Sequence, residues 1–95
     1  MSDKIKGTLF VRWADEDDGI YLPGAWSSAW IAVESAAETL CNRAESDGRF
    51  AGDEYPDGAE VIVRHMETLR EWSTRVRTDW SPTWLVDDAV ERKVT

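Results

Sequence analysis

Residues 4–13, KIKGTLFVRW, alternate strictly. Ile5, Gly7, Leu9, Val11 and Trp13 fall on one side, and Lys6, Thr8, Phe10 and Arg12 on the other. A period of two predicts a strand with one buried face. Four consecutive acids follow, then Gly19 and the apolar run IYL. This predicts a hairpin whose loop holds the acids, with Asp18-Gly19 as the turn. Pro23-Gly24 is expected to end a short second strand.

The period then changes. Trp30, Val33, Ala37, Leu40, Cys41 and Ala44 recur at spacings of three and four. That is the apolar stripe of an amphipathic helix. Ser27 or Ser28 can cap its start, and Gly48 stands where a C-terminal glycine belongs. The polar side carries Glu34, Glu38 and Glu45. Residues 47–58, DGRFAGDEYPDG, read as a loop, because glycines and a proline break every period.

Period two returns in the last third. EVIVRHM, residues 60–66, predicts a strand by its β-branched content. In EWSTRVRTDW, residues 71–80, Trp72, Thr74, Val76, Thr78 and Trp80 face one way. Glu71, Ser73, Arg75, Arg77 and Asp79 face the other. Residues 67–70 would join the two strands. Pro82 interrupts, TWLV (83–86) predicts a short final strand, and the tail after it is expected to fray. A helical tail after Val86 is the alternative. The order β-β-α-β-β-β predicts an α+β fold: one domain over 1–95, with an antiparallel sheet of about five strands and one helix on one face.

Composition bounds the function. The 95 residues suffice for one modest core. One cysteine excludes an internal disulfide, and no apolar run approaches a membrane span. A cytoplasmic protein is the expectation, host cytoplasm if phage-encoded. The net charge of −8 is uneven. Residues 13–60 hold twelve acids against Arg43 and Arg49, or −10, while residues 1–12 and 61–78 each carry +2. Such a chain repels nucleic acid and anionic membranes and attracts basic surfaces.

Catalytic and metal readings of the acids fail on spacing. With Gly19 at position six of a calcium loop, Ala14 and Ala25 fall where the first and last ligands belong. Four adjacent acids cannot all face one metal pair. One His and one Cys fall short of a zinc site. Cys41 fits the buried stripe, and His65 reads as structural or surface. No cofactor motif is present, so no cofactor and no enzymatic activity are expected.

Partner binding remains. The candidate surface comprises Asp15, Glu16, Asp17 and Asp18, the helix residues Glu34, Glu38 and Glu45, and the loop residues Asp53, Glu54 and Asp57. If these share one side, they present carboxylates where a nucleic-acid-binding protein expects phosphates. Of six tryptophans, Trp13, Trp72 and Trp80 read as core, while Trp26 and Trp84 lie beside turns as candidate anchors. In size, acidity and lack of motifs the chain resembles small phage- or plasmid-encoded anti-defence proteins, such as anti-CRISPR and anti-restriction factors. That likeness is compositional and assigns no residue a role. It implies an inhibitor acting as a nucleic-acid mimic. The alternative is a general interaction module, or an immunity protein, that binds a basic partner through an exposed tryptophan. A homodimer through an open sheet edge or an exposed tryptophan is a further expectation.

Overall fold

The computed structural model describes residues 4–46, 59–78, 84–86 and 90–92. The elements are β1 (Ile5–Trp13), β2 (Gly19–Trp26), α1 (Ala29–Ser46), β3 (Ala59–His65), β4 (Glu71–Thr78), β5 (Trp84–Val86) and β6 (Val90–Arg92). All strand pairs are antiparallel, in the order β2-β1-β3-β4-β5, with β6 also on β4. The fold is α+β, with the helix packed on one sheet face.

Alternation decides which face the helix covers. Ile5, Leu9, Val11 and Trp13 of β1 are buried, as are Val61 and Val63 of β3 and Trp72, Thr74 and Val76 of β4. They meet Ala32, Val33, Ala36, Ala37, Leu40, Cys41 and Ala44 of α1. Ser28 caps the helix: its Oγ accepts from Ile31 N–H at 3.2 Å, and its carbonyl accepts from Ala32 N–H at 3.0 Å. Four alanines on the buried side let the helix backbone lie close to the sheet.

Four expectations are corrected. β2 does not stop at Pro23-Gly24 but continues to Trp26, because an edge strand tolerates proline where no N–H is needed inward. Gly19 is paired with Arg12 as a strand residue, so the hairpin turn is longer than Asp18-Gly19 and includes a Glu16 N–H bond to the Trp13 carbonyl at 3.0 Å. Trp30 lies on the apolar stripe but is 38% exposed, because it stands in the first turn, at the margin of the sheet. The tail neither frays nor forms a helix at Val90–Arg92, which pairs with Ser73, Trp72 and Glu71.

Boundaries shift slightly elsewhere. β3 starts at Ala59 and ends at His65, and β4 is described to Thr78. Gly48, the loop 47–58, Asp79 and Trp80 lie outside the described residues.

Candidate functional site

The acidic turn is built on Arg12. Its Nη1 group lies 3.2 Å from the Trp13 carbonyl oxygen, 3.2 Å from that of Ala14 and 3.1 Å from that of Glu16. Ala14 N–H also donates to the Glu60 carbonyl at 3.0 Å, which ties the turn to the start of β3. The cation therefore grips the backbone of the turn. Asp15, Asp17 and Asp18 are left exposed, and Glu16 is half-buried.

α1 starts just beyond Trp26, at the far end of β2, and touches β1 through β5. Topology brings one further acid to the end of the acidic turn, where β3 begins and β4 finishes. Glu60, exposed at the start of β3, belongs to the same end.

The predicted residues thus divide. Asp15, Glu16, Asp17 and Asp18 lie at one end of the sheet, in the turn between β1 and β2. Glu38 and Glu45 are exposed on α1, and Glu34 is half-buried there. Asp53, Glu54 and Asp57 lie outside the described residues, in the segment that joins Ser46 to Ala59. Trp26 is half-buried and packs against the core. Trp84 is in β5, and its side chain lies outside the described residues.

The opposite end has a different character. Lys4 and Lys6 are exposed there, and His65 is buried. His65 Nε2 lies 2.8 Å from the Lys6 carbonyl oxygen and 3.2 Å from Glu67 Oε2. Both neighbours are acceptors, so Nε2 carries the hydrogen. Nδ1 lies 2.7 Å from the Thr68 hydroxyl oxygen. Glu67 also accepts from Thr8 N–H at 3.0 Å. Sequence spacing could not show this cluster, because its two halves are 59 residues apart.

On the sheet face away from α1, Arg64 Nε donates to Glu71 at 3.2 Å. On the opposite face, that of Trp72, Arg70 Nη2 donates to Glu91 at 2.7 Å, and the Arg70 guanidinium stands 4.9 Å over the Trp72 ring. Glu71 is the direct cross-strand partner of Arg64, as Glu60 is of Arg75.

Cys41 is fully buried. Burial first, and the neighbouring Glu38 carboxylate second, push its thiol from 9.0 to about 12. The thiolate is the reactive form. Thiol reagents at neutral pH are therefore expected to leave Cys41 unmodified until denaturant unfolds the chain; rapid labelling of the native protein would refute this placement. The sign for stability follows. The unfolded thiol ionises first, so Cys41 contributes a loss of stability as pH rises from about 9 toward 12.

Among the described residues, no group of three or more His, Cys, Asp or Glu side chains is placed to hold a metal ion. No helix among them is long and apolar enough to cross a membrane. No protein-family model, no curated protein and no solved structure matches the chain.

Proposed function

We propose that the chain is a non-enzymatic binding protein whose acidic end occupies the cationic site of a nucleic-acid-handling protein. The observation that carries this reading is the exposure of Asp15, Asp17 and Asp18 on a turn that Ala14 N–H ties to the exposed Glu60 at the start of β3. The turn and Glu60 are distant in sequence, and folding alone does not need acids at both. A cluster of one sign favours a partner of the opposite sign. The Arg12 clamp fixes the turn before binding, which lowers the ordering cost of association. Carboxylates so presented offer arginine and lysine the same charge-assisted bonds as phosphate oxygens.

The test is affinity capture from a cell lysate at about 0.1 M and about 0.5 M salt, where the screening length shrinks. A variant with Asp15, Asp17, Asp18 and Glu16 changed to Asn or Gln, together with Glu45→Gln, is run in parallel. The expected result is a captured protein that duplex DNA displaces, that high salt releases and that the variant fails to retain. A partner retained through all three treatments would overturn the proposal.

A further inference from the structure

Among the described residues, β2 is one edge of the sheet, whereas β5 and β6 line the outer side of β4. Register fixes which backbone groups of β2 look outward. The Thr8 carbonyl accepts from Met66 N–H at 2.9 Å, and Thr8 N–H donates to Glu67 at 3.0 Å, so Thr8 bonds toward β3. Ala14 N–H does the same with Glu60. Residues of an antiparallel strand bond alternately to either side. Leu9 therefore bonds toward β2, and its partner Leu22 bonds inward. Gly19, Tyr21, Pro23 and Ala25 direct their backbone groups away from the sheet, and only Pro23 lacks an N–H.

We propose that this edge pairs with β2 of a second copy, antiparallel and centred on Leu22, joining two sheets into one. Gly19 then stands opposite Ala25 of the second copy, and each donates to the other. Tyr21 N–H donates to the Pro23 carbonyl of the second copy. Two-fold symmetry makes each of these bonds twice. The side chains agree with this register. Leu22, already packed against the core, meets its own symmetry mate on the helix face. Tyr21 is 65% exposed, with its ring tilted against that of Phe10 at 4.9 Å between centres, and it lies against Pro23 of the second copy on the other face.

Charge selects the antiparallel direction. The acidic turn precedes β2, while Lys6 pairs with Ala25 near the end of β2. Antiparallel pairing sets Asp17 and Asp18 of one copy near Lys6 of the other. Parallel pairing would set acid against acid. Proline on an edge weakens such pairing, and here it removes one donor per copy without interrupting the others.

Sedimentation across a concentration series tests the proposal. The native chain is expected to move from 10.8 kDa toward twice that mass, less readily at high salt. Pro23→Thr restores the missing donor and is expected to tighten the dimer about tenfold. Ala25→Pro removes an outward N–H that the monomer does not use, so it is expected to stay monomeric with native circular dichroism. Leu22→Cys places two thiols across a pair that is not hydrogen-bonded, where Cα atoms lie about 4.5 Å apart, close enough for a disulfide. Oxidation is expected to cross-link it, and the buried Cys41 does not compete.

Native and Pro23→Thr chains that both stay at 10.8 kDa would overturn the proposal. So would a folded Ala25→Pro chain that dimerises like the native one. Should Ala25→Pro fail to fold, the Leu22→Cys cross-link decides, and its absence overturns the proposal.

Discussion

Replacing Trp72 with alanine is expected to cost about 3–5 kcal/mol, the range for removing a buried tryptophan. Trp72 is 3% exposed and lies on the covered face of β4, opposite Val63 on one side and Glu91 on the other. Its ring belongs to the core beneath α1, and the Arg70 guanidinium covers it at 4.9 Å. A domain of this size is stable by only about 5–15 kcal/mol in total. The loss is therefore a large fraction of the whole. It should lower the melting temperature by at least about 12 °C, at about 4 °C or more per kcal/mol. Urea titration checks it: the midpoint should fall while the slope stays constant. Trp72→Phe separates the contributions, since it keeps most of the apolar volume and weakens the cation–π contact. A Trp72→Ala chain within about 1 kcal/mol of the native one would mean that the core does not close over this ring.

Trp72 was legible in the sequence, and the reason bears on what else was. Alternation reports a strand wherever one face is covered and the other is not. β1 and β4 satisfy that condition, so Leu9, Val11, Trp13, Trp72 and Val76 could be read as core from period alone. β2 fails it. As an edge it is exposed along most of its length, so Pro23-Gly24 read as an ending. Trp30 failed for the opposite reason: its spacing fits the stripe, but position in the first turn, not spacing, sets its exposure. β6 has no pattern of its own, being three residues long, and exists because β4 offers it a partner. The acids could be seen as an uneven charge. That the turn and Glu60 share one end depends on the pairing of β1 with β3, which no local pattern encodes.

The second large effect is expected at Gly7, which alternation placed simply as one more position of β1. Its φ of +128° lies where side chains are rarely tolerated. A Cβ there would also fall on the Glu67 carboxylate. That carboxylate is not an idle neighbour. It accepts from Thr8 N–H and from His65 Nε2, and so closes the β3–β4 turn against β1. Leu69, with φ of 63°, shows the same turn wound tightly enough to hold a second residue in the left-handed region. Gly7→Ala must therefore either strain the backbone or expel Glu67, leaving Thr8 N–H and His65 without it. The expected cost is about 1–3 kcal/mol, the range for a residue forced into such a conformation. A cycle with Glu67→Ala divides the two causes. If collision dominates, Gly7→Ala should cost much less in the Glu67→Ala background, with a coupling of about 0.5–3 kcal/mol. If the two costs simply add, the dihedral alone demands glycine. Amide exchange at Thr8, compared in the two single variants, locates the effect. A Gly7→Ala chain as stable as the native one, with Thr8 still protected, would rule out this account of the cluster.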